Sequence, residues 1–419
     1  MKNDPVYLAE VHKLNASQEI SNQARALWLP QISGNISRSQ NNQNILRTDN
    51  TVFASGKTHF PVTQYTLEIR QTLLNYANLF GWQQATVQAK QFTSEFAATQ
   101  QDLMQRVSER YFAVLAANES VTYIKAEKDS VNQQLEVVKA KLDQGLANSI
   151  DYQDAQARSL QVIAREIELR NGLNNSKADL RAIIGMLPPA LMLMNETIPL
   201  VKPSPADSSE WVTSAYDQNP TIIAKRFEVR AAKIEIEQQR GGYMPTVDLR
   251  ASYNRNDTGG SLFGGGSQVD TSEFMVELNV PIFTGGAVTS RYREAVEIHS
   301  KTIQELNATM REIERNIVTA FNDINNSIAK VEALDKLVEA SDATVKLKTT
   351  AYKSGLASTL DVLDASRNLF FARSEYARAR YEYVINTLML KRAAGLLEVS
   401  DINEINTLML SNANQLPLL

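Results

Sequence analysis

Ser354-Gly355-Leu356-Ala357-Ser358-Thr359-Leu360-Asp361-Val362-Leu363-Asp364-Ala365 interrupts a long helical pattern with a tight turn and restarts it with two carboxylates three residues apart. A near-copy stands at Gln144-Gly145-Leu146-Ala147-Asn148-Ser149-Ile150-Asp151-Tyr152-Gln153-Asp154-Ala155, 210 residues earlier. The chain is therefore a tandem duplication, and each half carries one such tip. Gly145 and Gly355 suit the left-handed conformation that ends a helix, and Asn148 and Ser358 suit the N-caps that begin the next. Asp151 and Asp361 fall three residues beyond those caps, where an acidic side chain favours the positive helix end.

Working outward, residues 76 to 144 and 285 to 354 read as two helices of about 100 Å each at ~1.5 Å per residue. In the first, Phe92, Phe96, Leu103, Val107, Val114, Val121, Ile124, Val131, Leu135, Val138 and Leu142 are spaced by threes, fours and sevens. Leu306, Met310, Ile313, Ile317, Ile324, Ile328, Val331, Val338 and Val345 repeat the scheme, so both helices carry coiled-coil seams. Return helices run to about 186 and 394, which makes two helical hairpins with exposed tips.

Asp4-Pro5 and Asn219-Pro220 are matched helix openings, because proline's missing N–H is not needed at the first helical position. Each helix runs to a second proline, Pro30 or Pro245. The period then changes from 3.6 to 2: Phe274, Val276, Leu278, Val280 and Ile282 alternate with Met275, Glu277, Asn279 and Pro281. Tyr65, Leu67, Ile69 and Leu73 do the same against Glu68, Arg70 and Thr72, with partner strands at 32–39 and 247–253. Each half thus holds one hairpin with a polar loop, the second at 256–267.

A soluble fold could cover such apolar faces with a helix. Strands of about a dozen residues, charges kept to one face, and aromatics near the ends (Trp28, Phe80, Trp82, Tyr243, Phe283) point instead to a tilted bilayer crossing. Four strands cannot close a barrel, since small barrels have about eight; three chains would supply twelve. The segments 187–220 and 395–419, with prolines and little period, read as an equatorial or irregular belt.

Composition bounds the function. Hydrophobic residues make up 43% and charged residues 21%, enough for a folded core, and the net charge of −4 with no basic patch argues against nucleic acid. The absence of cysteine removes disulfides, thiolate metal sites and cysteine nucleophiles. His12, His59 and His299 lack ligand spacing, and neither a phosphate-binding loop nor a serine elbow occurs. No cofactor, metal or catalytic residue is expected. Tyr111, Phe112, Tyr381 and Tyr383 read as packing. No apolar run is long enough for a spanning helix, the nearest, 182–201, being broken by Pro188, Pro189 and Glu196. Met1-Lys2-Asn3-Asp4-Pro5 has no apolar core of a signal peptide, as expected for a cytosolic protein or for a mature or truncated form.

Asp361 and Asp364 share a helix face and admit three readings: a general acid–base pair, a solvated helix start, or, in a three-chain assembly, rings of acid on the axis that attract cations. The duplicated order of helix, hairpin, long helix, tip and return helix now decides. With Gly-Leu-Ala-Asn-Ser-Ile-Asp at 145–151, Gly-Leu-Ala-Ser-Thr-Leu-Asp-Val-Leu-Asp-Ala at 355–365 and Asn279-Val280-Pro281-Ile282-Phe283-Thr284-Gly285-Gly286, the chain closely resembles the TolC family of outer-membrane exit channels.

The resemblance implies a mainly helical fold with a small β part: a homotrimer whose twelve-stranded transmembrane β-barrel, from hairpins 28–75 and 243–284, joins a helical barrel crossing the periplasm. The helical part would comprise 6–27, 76–186, 221–242 and 285–394, with tips at 144–151 and 354–361. It implies a passive duct in the outer membrane of a Gram-negative bacterium, in contact with its lipid and recruited by a periplasmic adaptor (membrane fusion) protein and an inner-membrane RND or ABC transporter for drug efflux or type I secretion. Asp361 and Asp364 would line the constriction, Asp151 and Tyr352 would hold it shut, and Gly145, Leu146, Gly355 and Leu356 would dock the adaptor. The protein for which the family is named has an arginine at the position of Ala357, bridging to the aspartate that matches Asp151. That ion pair cannot form here, which leaves Tyr352 with Asp151, or Lys353 as a substitute. The competing expectations are a periplasmic adaptor, which has one hairpin inside β-rich domains, and a soluble coiled-coil scaffold.

Overall fold

The computed structural model describes residues 3–47, 56–186, 190–195, 198–260, 265–409 and 415–417. Pro188, Pro189 and Glu196, and residues 261–264 of the polar loop expected at 256–267, lie outside the described residues. Elements run α1 (Pro5–Ala26), β1 (Gln31–Ile45), β2 (Gly56–Leu74), α2 (Tyr76–Asp143), α3 (Ser149–Ile184), β3 (Ala190–Met192), α4 (Ser208–Gln218), α5 (Pro220–Arg240), β4 (Thr246–Thr258), β5 (Ser267–Asn279), α6 (Ala287–Lys353), α7 (Thr359–Ala393), α8 (Val399–Thr407) and β6 (Gln415–Pro417). The matched openings form as their chemistry requires. Asp4 Oδ1 accepts from the Val6 and Tyr7 amides at 2.7 and 3.1 Å, and Asn219 Oδ1 accepts from the Thr221 amide at 2.9 Å.

By contact density the chain forms two compact units. One comprises Leu14–Thr93 and Ala224–Leu306. Its centre is an antiparallel sheet in the order β1-β2-β4-β5, so the two hairpins lie side by side, joined through β2 and β4. Register places Ile32, Ile69, Ala251 and Phe274 in one row across all four strands and Gly34, Leu67, Tyr253 and Ser272 in another. This face is apolar yet exposed: Phe274 is 75% accessible, Val276 62% and Leu278 63%. The opposite face carries Arg70, paired with Asp248 at 2.9 Å, and Arg250, 3.4 Å from both Glu68 and Glu277. β1 and β5, 15 and 13 residues long, are edge strands. Such edges present unpaired N–H and C=O groups to another chain.

The other unit comprises Met1–Lys13, Ser94–Ile223 and Asn307–Leu419 and holds the tips and most of the length of both helical hairpins. The expected seams supply much of its core. Leu103, Val114, Val121, Ile124, Val131 and Val138 of α2 and Ile313, Ile317, Ile324, Ile328 and Val331 of α6 are buried. A cluster of Ile124, Val131, Ala155, Val162 and Leu363 binds α2, α3 and α7 together. Phe112, Tyr381 and Tyr383 are buried packing residues, as expected.

The belt segments are more regular than their composition suggests. α4 and α8 form within them, and β3 pairs with β6. They are strapped to the long helices by polar anchors: the hydroxyl of Tyr111 donates to the Met192 carbonyl at 2.8 Å, Arg380 donates to the Asn195 carbonyl at 2.8 Å, and the Tyr383 hydroxyl accepts from the Val201 amide at 2.8 Å. Among the described residues, no helix is long and apolar enough to cross a membrane.

Candidate functional site: the hairpin tips

Three helix ends in this unit have the same local construction. At Gly145-Leu146, Gly355-Leu356 and Gly395-Leu396 the glycine takes φ of +74°, +75° and +79°. The leucine amide reaches back to the carbonyl five residues earlier at 2.8 Å in all three, and the glycine amide bonds the carbonyl three residues earlier. This double closure satisfies the last carbonyls of the helix. What differs is the surroundings. A Cβ on Gly395 would lie 2.4 Å from Asn219 Cα, whereas nothing lies within 4 Å of one on Gly145 or Gly355. Leu146 is 73% exposed and Leu356 84%. Apolar residues in the two tips are thus left facing solvent, while the third copy of the motif is partly buried and packs closely on Asn219.

Beyond each turn the chain restarts with a cap. Asn148 Oδ1 accepts from the Asp151 amide at 2.8 Å, and Ser358 Oγ accepts from the Asp361 amide at 3.1 Å. The second cap is reciprocal, because Asp361 Oδ2 accepts from the Ser358 amide at 3.0 Å and its hydroxyl at 2.7 Å. The other oxygen, Oδ1, accepts from Lys348 Nζ of α6 at 2.7 Å. The Lys348 hydrogen bond, followed by those of Ser358, holds the Asp361 carboxyl far below the usual carboxylate range. Asp361 is therefore a fully engaged carboxylate within its own hairpin. Asp364, half-buried one turn on, sits in the field of Arg158 of α3. Arg158 in turn lies 3.4 Å from Glu127 of α2, whose carboxyl is pushed up by burial. The two acids expected together at the constriction have different surroundings.

Tyr352 has a partner that sequence reasoning did not supply. Its hydroxyl accepts from Lys141 Nζ of α2 at 3.1 Å, and the same ammonium lies 4.3 Å from the ring centroid. Burial alone would raise the phenol, but hydrogen bonds with Thr359 and Lys141 outweigh it and leave its pKa below the ordinary value. Among the described residues no bond joins Tyr352 to Asp151, and Lys353 is exposed. Lys141 and Lys348 were both missed. The second had a signal: Lys348 stands six residues before Ser354 and Asp361 six after Gly355, so an antiparallel hairpin brings them level. Among the described residues no cluster of His, Cys, Asp and Glu could hold a metal ion.

Two long helical hairpins with open, glycine-ended tips, joined in sequence to a sheet with one apolar exposed face, define a subunit of an outer-membrane channel. The sequence profile described as "Outer membrane efflux protein" matches residues 1–186 and 211–396, and the chain belongs to that family. It is an exit-duct subunit of the Gram-negative outer membrane that extends into the periplasm, and it is not an enzyme. Its relatives include the outer membrane protein TolC of Vibrio cholerae, 28% identical over 97% of this chain and 91% of that protein. TolC of Escherichia coli is 30% identical over 94% and 80%, and the alkaline protease secretion protein AprF of Pseudomonas aeruginosa 26% over 96% and 84%. In fold the chain is similar to the Campylobacter jejuni CmeC outer membrane channel, with a TM-score of 0.80 at 13% identity over 98% of this chain and 88% of that one. The outer membrane protein VceC of Vibrio cholerae superposes with a TM-score of 0.77 at 18% identity over 94% and 93%.

Proposed function

We propose that three copies of this chain assemble into a passive duct, with β1–β2 and β4–β5 of each closing a twelve-stranded barrel and the helical hairpins forming its periplasmic part. The observation that carries this reading is the sheet: four strands with two free edges, one exposed apolar face and a face of ion pairs. Closing the edges against neighbouring copies satisfies their backbone groups, and lipid covers the apolar face at no hydration cost. The exposed apolar residues Leu160, Ile163 and Ile167 of α3, at helical spacing, favour lateral contacts between copies in the helical part as well. On this reading 28–75 and 243–284 lie in the outer membrane, and 187–220 with 395–419 form the belt.

The duct opens by outward splaying of the tips. Gly145, Leu146, Gly355 and Leu356 offer the exposed apolar contact for a periplasmic adaptor, which couples the duct to an inner-membrane RND or ABC transporter for drug efflux, type I protein secretion, or both. Asp361 and Asp364 belong to the constriction. The resting state is held by Tyr352 with Lys141, a contact between the two hairpins that takes the place of the arginine bridge missing at Ala357. A purified, detergent-solubilised sample reconstituted in a planar bilayer tests the reading: discrete ion-conducting events are expected, and a protein that never conducts would refute it. A periplasmic adaptor or a soluble scaffold would give no such events.

A further inference from the structure

We infer that Lys348 is a specificity-determining residue of the gate: it cancels the charge of Asp361 within each chain, so that the constriction's attraction for cations rests on Asp364. The inference builds on the duct reading above. Three groups of atoms carry it. Asp361 has its two oxygens committed, Oδ1 to Lys348 at 2.7 Å and Oδ2 to the Ser358 amide and hydroxyl. The ammonium comes from α6 and the carboxylate from α7 of the same hairpin, six residues either side of the turn, so the pair moves as one body when the hairpin moves. Finally, the duplicated hairpin has no such pair. The residue 210 positions before Lys348 is Val138, which is buried, so no lysine stands level with Asp151, and the nearby Lys141 is engaged with Tyr352 instead.

The electrostatic consequence follows from Coulomb's law. A cation approaching a free carboxylate meets a full charge, whereas one approaching a carboxylate already 2.7 Å from an ammonium meets a dipole, whose field falls faster with distance. Asp364 has no such close ammonium. Among the described residues no hydrogen bond or ion pair engages its carboxylate; Arg158, which lies 3.4 Å from Glu127, acts on it only through its field, so its charge is left to act on the lumen. The two aspartates, identical in type and one turn apart, are therefore unequal in what they present to a passing ion.

The test uses single-channel recording of the assembled protein at neutral pH, with lanthanum(III) chloride on the tip side. Lys348→Met should lower the half-blocking concentration about tenfold, the size expected from uncovering one charge per chain in a wet pore. Lys348→Arg should leave it at the native value. Combining Lys348→Met with Asp361→Asn should return it to that value, an outcome that mere loosening of the tip would not produce. An unchanged half-blocking concentration in Lys348→Met, or one that stays low in the double variant, would overturn the inference while leaving the duct intact. A native chain that conducts nothing would overturn the duct reading and this inference with it.

Discussion

The ammonium of Lys141 lies 3.1 Å from the hydroxyl of Tyr352 and 4.3 Å from the centre of its ring, joining the last turn of α2 to the last turn of α6. These are the descending helices of different hairpins, 211 residues apart in sequence. A contact there resists separation of the two tips, which the hydrogen bonds within either hairpin do not.

Removing this clasp should favour the open state. A charge-assisted hydrogen bond contributes about 1.5–3 kcal/mol when well formed, and half-exposed partners place this one at the low end. Tyr352→Phe retains the cation over the ring and loses only the hydrogen bond; Lys141→Met loses both. Resting conductance in planar bilayers should rise in the order native, Tyr352→Phe, Lys141→Met. Equal conductance in all three would remove Tyr352 and Lys141 from the latch.

Exposed tip leucines should matter to a partner and not to the fold. Leu146→Asp and Leu356→Asp alter side chains that bury almost nothing, so stability should stay within about 0.5 kcal/mol of native. Adaptor-dependent efflux in cells should be lost, with trimer yield in detergent unchanged. A fall in trimer yield would indicate that these leucines serve assembly instead.

The three Gly-Leu ends should separate on substitution. Alanine at Gly145 or Gly355 meets open space and carries only the left-handed backbone penalty, about 1–2 kcal/mol. Alanine at Gly395 carries that penalty and must also displace Asn219 backbone 2.4 Å away. Gly395→Ala should therefore lower the melting temperature well below that of Gly355→Ala, by circular dichroism. Similar melting temperatures would contradict the packing at Asn219.

Charge on the apolar sheet face should block insertion. Lys at Phe274 or Val276 faces the hydrocarbon in the proposed barrel, at a cost of about 2–4 kcal/mol near the bilayer midplane. The same change at Met275, on the opposite face, should be tolerated. Folding yield into lipid vesicles, read by protection from protease, distinguishes the two faces.

The pH dependence of the second tip follows from the depressed Asp361 carboxyl. A carboxylate held below its unfolded value contributes stability that is present above that value, about 3.9, and is lost only as pH falls through the lower folded value. The melting-temperature difference between native protein and Lys348→Met should stay constant from neutral pH down to about pH 5 and shrink in stronger acid. A difference that vanishes near neutrality would mean that the pair does not form.

The duplication, both tips, the caps at Asn148 and Ser358 and the alternating strand faces were legible because each is a local signal repeated at a fixed offset. Gly355 announces a left-handed turn whatever surrounds it. Other features depend on distant contacts. β3 and β6 are three residues each and exist only because residues 190–192 meet 415–417. α4 and α8, of 11 and 9 residues, are too short to show a period amid the prolines and polar runs around them. Tyr352 was identified as a gate residue through family resemblance, but its partner Lys141 belongs to the other hairpin, and no spacing rule reaches across one. Asp361 was assigned to the pore through the same resemblance. The structure adds that its charge is already met by Lys348.

The most direct test of the account is the molar mass of the protein component in the detergent-solubilised particle, measured by light scattering with the detergent contribution subtracted. A free-edged, four-stranded sheet that closes with its neighbours predicts three chains per particle. A monodisperse particle of one chain would leave the sheet edges open, and one of two chains would supply eight strands instead of twelve; either result would contradict it.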